Sequence, residues 1–280
     1  MAASKNSEKR HRDLLVRRYS SESGSLSAAE NDAVAAEEPL EIRVEGKSVA
    51  IVMRTPGHDI ELAAGFLVTE GVVLKKEDIF EISTCPSHDS EGNVVDVLLA
   101  GKDINLDSLT RHVFTSSSCG ICGKATLDAA MLDLPPIPSD LNIDPELVLS
   151  LPDRLRQQQA TFTRTGGLHG AAIFDAKTGE VVVSHEDVGR HNAVDKVIGH
   201  GFLQGGLPYS EHLLQLSGRV SFELMQKALA AGIPGVVAIS APSSLAVEFA
   251  ERSGQFLAGF VRDGRMNVYA GAERLGYGDG

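Results

Sequence analysis

The chain has 280 residues, 42% of them hydrophobic and 23% charged, enough for one large domain or two modest ones of ordinary globular composition. Lys plus Arg number 26 against 38 for Asp plus Glu, and the net charge of −12 argues against a whole-chain basic footprint for nucleic acid while leaving room for a local basic pocket. No apolar run approaches a membrane span, and three cysteines are too few for a disulfide framework. The opening Met1-Ala2-Ala3-Ser4-Lys5 has no apolar h-region, so no signal peptide is expected. These features together predict a reducing, cytoplasmic setting, with no nucleic acid and no membrane as partner.

Residues 1–38 are polar and poor in large apolar groups, with a basic stretch at 8–18, and read as a disordered tail. A folded unit begins near Leu40. Glu41–Val44 and Ser48–Arg54 read as strands around a Glu45-Gly46-Lys47 turn. After Arg54-Thr55-Pro56-Gly57-His58-Asp59, a helix runs to about Glu70, with Ile60, Ala63, Ala64, Leu67 and Val68 as its apolar face. His58 and Asp59 are read as helix-start chemistry. Segments 79–84 and 94–100 read as strands, and Ala125–Leu134 as a helix. Residues 39–134 thus form a smaller N-terminal α+β subdomain. Linker helices at 135–160 follow: Asp144 caps one beginning at Pro145, and Pro152 opens a second.

Residues 161–272 alternate strand and helix, with strands at 170–174, 181–185, 213–216 and 236–239. Helices are expected at 190–198, 221–231 and 244–252, and a closing pair of strands at 256–261 and 266–270; 273–280 is a tail. Such alternation predicts a layered α/β sheet with helices on its faces. Ligands in such sheets sit beyond the carboxyl ends of strands, where helix N-termini offer free N–H groups to phosphate. Several polar loops fall there: Thr165–Gly170, Glu186–Asn192, Ser217–Ser221 and Ser240–Ser244. Arg190, Arg219, Arg262 and Arg265 supply cationic donors. The loops together predict a site for a phosphorylated ligand, although each alone reads as an ordinary turn or cap. His169, beside Gly170, and His191, two residues after Gly189, are either structural histidines or groups that position a leaving group or adjust a thiolate.

The densest chemical signal is Thr115-Ser116-Ser117-Ser118-Cys119-Gly120-Ile121-Cys122-Gly123-Lys124. Glycines permit turn conformations, and the expected helix after the pair would favour thiolate at its N-terminus. Four readings compete. A zinc site lacks a second pair of ligands at finger spacing, and a zinc deaminase lacks the glutamate, because Gly170-Ala171 follows His169. Thioredoxin-like exchange, a structural pair and sulfur carriage as a cysteine persulfide are the others.

Three further runs accompany the cysteine motif: Thr165-Gly166-Gly167-Leu168-His169-Gly170-Ala171, Glu186-Asp187-Val188-Gly189-Arg190-His191-Asn192-Ala193-Val194-Asp195-Lys196 and Phe260-Val261-Arg262-Asp263-Gly264-Arg265-Met266-Asn267-Val268-Tyr269. With Arg54–Asp59 they resemble the motifs of the formate dehydrogenase accessory sulfurtransferase family FdhD, over roughly residues 40–272. The resemblance implies a cytidine-deaminase-like layered α/β domain without the zinc chemistry, in a homodimer. It implies a cytoplasmic sulfur carrier that accepts sulfur from a cysteine desulfurase and passes it to the molybdenum of bis(molybdopterin guanine dinucleotide), which then enters formate dehydrogenase. Cys119 matches the persulfide cysteine and Cys122 its partner. Phe260, Val261, Arg262, Asp263, Gly264 and Arg265 match the cofactor-binding segment. His169, Arg190, His191, Ser217 and Arg219 complete the expected pocket, and no tightly bound metal is expected. The competing expectation is a non-catalytic, cofactor-binding chaperone whose cysteines form a redox or metal latch.

Overall fold

The structure, a computed structural model, describes residues 10–85, 92–101, 137 and 141–276. Cys119, Cys122, the loop around them and the helix expected at 125–134 lie outside the described residues.

Two main sheets organise the fold. The smaller has four strands in the order β6-β5-β8-β7: β5 (Glu38–Val44), β6 (Lys47–Arg54), β7 (Ile79–Thr84) and β8 (Val94–Leu99). Glu45 and Gly46 both take positive φ, 52° and 72°, the conformation a two-residue hairpin turn needs to match the twist of β5 and β6. The larger sheet has six strands in the order β10-β9-β11-β12-β13-β14. These are β9 (His169–Asp175), β10 (Val181–Asp187), β11 (His212–Leu216), β12 (Gly235–Ala238), β13 (Phe256–Arg262) and β14 (Arg265–Ala270). β11, β12 and β13 run parallel, and the flanking strands antiparallel. The architecture is mixed α/β, as the alternation predicts.

Helices cover both faces of the larger sheet. One face buries Leu147, Val148, Leu151 and Leu155 of α2 (Pro145–Gln158) against Phe174, Leu213, Val237, Phe256 and Val261. Asp144 caps α2 through the Glu146 N–H, as expected, but Pro152 does not start a new helix: it lies inside α2. The apolar stripe runs unbroken through the proline, so packing on the sheet outweighs its missing hydrogen bond, a loss of about 3 kcal/mol. Residues 145–158 are therefore a layer of the core, and the expectation of a linker is corrected. A short helix, α3 (Ala160–Thr165), follows.

The opposite face carries α4 (Arg190–Gln204), α5 (Phe222–Ala230) and α6 (Ser244–Ser253), and against α4 lies α1 (Asp59–Thr69). One hydrophobic core joins Leu40, Ile42 and Val97 of the small sheet, Leu62 and Leu67 of α1, Val194 and Ile198 of α4, and Ile173 and Leu214 of the large sheet. The two expected subdomains thus share one interior. At the α1–α4 crossing the backbones touch. A Cβ on Gly65 would stand 1.8 Å from the Asp195 carbonyl oxygen, and one on Gly199 would stand 1.8 Å from that of Glu61.

The tail expectation also needs correction. β1 (His11–Val16) pairs with β4 (Glu30–Ala35), and β2 (Tyr19–Ser20) with β3 (Ser25–Leu26), making a long antiparallel arm. Its side chains are mostly exposed, so it lacks the apolar alternation that marks a half-buried strand. The arm is anchored at its base, where Ala36 is buried and its carbonyl accepts from Thr55 Oγ1. At the other end of the chain, Arg274 donates to the Gly254 carbonyl and its own carbonyl accepts from Ile143 N–H, so 273–276 are docked.

Polar side chains lock the two sheets together. Lys196 and Asp187, both 0% exposed, meet at 2.7 Å. Lys196 also donates to the Thr55 carbonyl, and Asp187 accepts from the Thr55 N–H. Arg54, 2% exposed, grips both carboxylate oxygens of Asp59 at 3.0 and 3.1 Å. Lys227 meets Asp195 at 2.9 Å and Thr69 Oγ1 at 2.8 Å.

Two stability predictions follow from these contacts. Gly65→Ala should lose at least about 2 kcal/mol in urea unfolding, because only backbone can move to admit the methyl group. Gly206→Ala, whose Cβ would meet only the Gly201 carbonyl at 3.6 Å, should be near neutral; equal effects would refute the crossing as the cause. Lys196→Met should lose about 3–5 kcal/mol by stranding Asp187 in the interior. A loss below about 1 kcal/mol would show that the remaining donors to Asp187 suffice.

Candidate functional site: one edge of the six-stranded sheet

The carboxyl ends of β10, β11, β12 and β13 and the start of β9 lie on the same edge of the large sheet. The loops leaving it are laced together by backbone bonds. Gly170 N–H donates to Ser217 Oγ at 2.8 Å, and Ser217 N–H to the Gly170 carbonyl at 3.0 Å. Val220 N–H donates to the Ala241 carbonyl, Ser243 N–H to the Val220 carbonyl, and Phe260 N–H to the Ser240 carbonyl. The edge is therefore one continuous ledge from β9 to β13.

Five of the expected pocket residues gather on its first half. His169 opens β9, and its Nδ1 would be 3.2 Å from a Cβ on Gly218, so a glycine there lets the imidazole lie against the backbone. Arg190 and His191 open α4, and Arg219 follows β11 beside Ser217. Burial first, then the charge of Arg190, lowers the His169 pKa, with Asp187 opposing and His191 and Arg219 adding to the shift. His169 is thereby favoured as neutral imidazole beside two guanidinium groups. Arg190 Nε is buried and has no hydrogen-bond partner in the structure.

His191 is more committed than the sequence suggests. Its Nε2 lies 3.0 Å from Glu223 Oε2 and 3.4 Å from Ser221 Oγ, at the start of α5. That hydrogen bond holds the Glu223 carboxyl below the usual carboxylate range. Ser217 is likewise engaged, since its hydroxyl accepts from Gly170 N–H. Glu223 and Ser221 had no sequence signal beyond an ordinary helix start.

Phe260 to Arg265 stand farther along the ledge, beyond β12. Phe260 and Asp263 take positive φ, both 53°, and the β13–β14 register breaks between Gly259 and Arg262. Beyond the bulge, Arg262 and Arg265 pair again and close an exposed turn through Asp263 and Gly264, with the Arg262 guanidinium 5.8 Å from the Phe260 ring. Val261, in contrast, is fully buried and is a core residue. The ledge thus separates the two expected groups by the width of the parallel strands.

The rest of the Glu186–Lys196 run is used in folding. The Glu186 carboxylate accepts from Thr161 and Phe162 N–H and so caps α3, while Asp187 also accepts from Gly189 N–H and Asn192 Nδ2. A second polar cluster, unmarked in the sequence reading, forms below α1: His58, His185 and His200 all approach the Glu61 carboxylate. His58 sits at the helix start as expected, but its side chain makes no cap hydrogen bond and turns to Glu61 instead.

Sequence comparison agrees with the fold. The family model for the FdhD/NarQ family matches residues 35–276. A protein of Streptomyces coelicolor named sulfur carrier protein FdhD is 53% identical over 256 residues, covering 87% of this chain and 89% of its own length. A protein of the same name from Mycobacterium tuberculosis is 48% identical over 255 residues, covering 87% and 92%. A crystal structure described as a formate dehydrogenase accessory protein from Desulfotalea psychrophila superposes with a TM-score of 0.74 at 26% identity, over 95% of this chain and 99% of that one. With a match running from the start of the small sheet to the last docked residue, the chain belongs to the FdhD/NarQ family.

Proposed function

We propose that this chain is a sulfur carrier for the maturation of formate dehydrogenase, with Cys119 as the persulfide-bearing residue and Cys122 as its partner. The match to sulfur carrier proteins across nearly the whole chain carries this reading. The sheet edge supports its cofactor half. A bis(molybdopterin guanine dinucleotide) substrate brings pyrophosphates and guanines, and the ledge supplies helix N-termini, Arg190, Arg219 and the Arg262–Arg265 turn.

The chemistry has two steps. The Cys119 thiolate attacks the terminal sulfur of a cysteine desulfurase persulfide; the donor leaves as thiolate and Cys119 becomes Cys–S–SH. The Cys122 thiolate then attacks the inner sulfur, a disulfide forms, and the terminal sulfur leaves as sulfide for the molybdenum. The two electrons that reduce it come from the cysteine pair, and a cellular dithiol must later reduce the disulfide. The family resemblance extends the proposal to a cytoplasmic homodimer acting between desulfurase and formate dehydrogenase.

Mass spectrometry of the intact protein tests the first step. After mixing with a cysteine desulfurase and cysteine, wild type should gain sulfur and Cys119→Ala should not. Loss confined to Cys122→Ala would reverse the assignment. No gain in any form would defeat the carrier and leave a cofactor-binding chaperone.

GDP, which shares the guanine and pyrophosphate of the substrate, tests the ledge. Arg190→Ala should weaken it about ten- to hundredfold, the worth of one charge-assisted hydrogen bond. In the free protein the folded His169 pKa lies below its unfolded value, so this group lowers stability as pH falls through the unfolded pKa of about 6.5. Pyrophosphate beside the ring should reverse the shift, raising the NMR titration midpoint of His169 by about one unit. An unmoved midpoint at saturating GDP would place the nucleotide elsewhere.

A further inference from the structure

We propose that His58, Glu61 and His185 form a binding site for a divalent transition-metal ion of the zinc class, clamping the start of α1 to β10. They come from two pieces of backbone, the start of α1 and β10. His58 ends the Thr55-Pro56-Gly57 turn, Glu61 lies in the first turn of α1, and His185 lies in β10. Their ligand atoms all lie within 4.8 Å of one another. His58 Nδ1 is 2.6 Å and His185 Nε2 is 3.0 Å from the same carboxylate oxygen, Glu61 Oε2. The two rings stand 4.0 Å apart, tilted by 44°.

A plain hydrogen-bonded cluster explains His58 and leaves His185 unexplained. His185 is 7% exposed, and its Nε2 is buried and makes no well-formed hydrogen bond, although it stands 3.0 Å from Glu61 Oε2. A buried imidazole nitrogen close to a carboxylate, without a well-formed hydrogen bond to it, fits a third atom held between them.

The donor set suits that ion. Two imidazoles and one carboxylate are borderline ligands that zinc takes at 2.0–2.2 Å. Donors around a tetrahedral ion of that radius stand about 3.3 Å apart, against 2.6 and 3.0 Å from the two histidine nitrogens to Glu61 Oε2. His200 Nδ1, 2.8 Å from the other carboxylate oxygen, supplies the outer hydrogen bond that orients a ligating carboxylate. The cluster reaches solvent at His58, which is 41% exposed, leaving a fourth position open to water. This site uses none of the expected pocket residues, and it departs from the expectation of no bound metal.

Zinc binding to the full chain should be measured in a Cys119→Ser/Cys122→Ser background, so that the cysteine pair contributes nothing. One zinc per chain should bind, and cobalt substitution should give a visible tetrahedral spectrum with no thiolate charge-transfer band. His58→Ala and Glu61→Gln should each weaken binding at least about tenfold, and zinc should raise the melting temperature of the background protein but not of these variants. His58 is exposed enough for its variant to fold. No zinc bound by the folded background protein, or binding unchanged in His58→Ala and Glu61→Gln, would overturn the site.

Discussion

The backbone contact between α1 and α4 sets the geometry of everything around it. Two glycines, Gly65 and Gly199, bring helices from opposite halves of the chain to a separation that no side chain could share. That closeness draws the four-stranded and six-stranded sheets onto one core. It also fixes which side chains meet. Glu61, one turn before Gly65, faces His200, the residue after Gly199. Thr69, one turn after Gly65, reaches Asp195, one turn before Gly199. The crossing thus acts as a ruler from which the polar contacts on either side take their spacing.

Those contacts show how a run of polar residues can mark architecture as well as chemistry. Within Glu186–Lys196, Glu186 caps α3, and Asp187 and Lys196 seal the Thr55 turn onto the large sheet. Asp195 anchors Lys227 of α5. Only Arg190 and His191 are left at the ledge, and His191 is shared with Glu223. A buried ion pair adds little net stability over a well-packed apolar pair, yet breaking one is expensive. Such pairs therefore penalise any other docking of the two halves. The ledge inherits this rigidity, since β9, β10 and α4 are the elements so locked.

How much of this was readable from the sequence depended on whether the signal was local. The strands of both sheets, the Glu45-Gly46 turn, the Asp144 cap and the closing hairpin follow from alternation, turn chemistry and capping, which act over a few residues. The arm at 11–35 escaped because a solvent-exposed strand pair has no apolar period. Pro152 misled because its local penalty is outweighed by the apolar stripe of α2 on the sheet. Of the pocket, His169, Ser217, Arg190 and Arg219 could be placed because loops after strands of an α/β sheet share an edge. Val261 was included with its neighbours although strand alternation turns it inward. The Glu61 cluster had no local sign at all: its histidines come from a turn, a strand and a helix, and only the glycine crossing assembles them.

A chain with a net charge of −12 can still present an anion site, because the relevant field is local. At the ledge the cationic groups stand at the ends of α4 and β11, where helix N–H groups add their own partial positive charge. The nearest carboxylates are occupied: Asp187 by Lys196, Thr55 and Gly189, and Glu223 by His191. Neutralising these acids internally leaves Arg190 and Arg219 as the charges of this half of the ledge. The same internal pairing that joins the two halves of the fold therefore leaves this part of its sheet edge locally cationic.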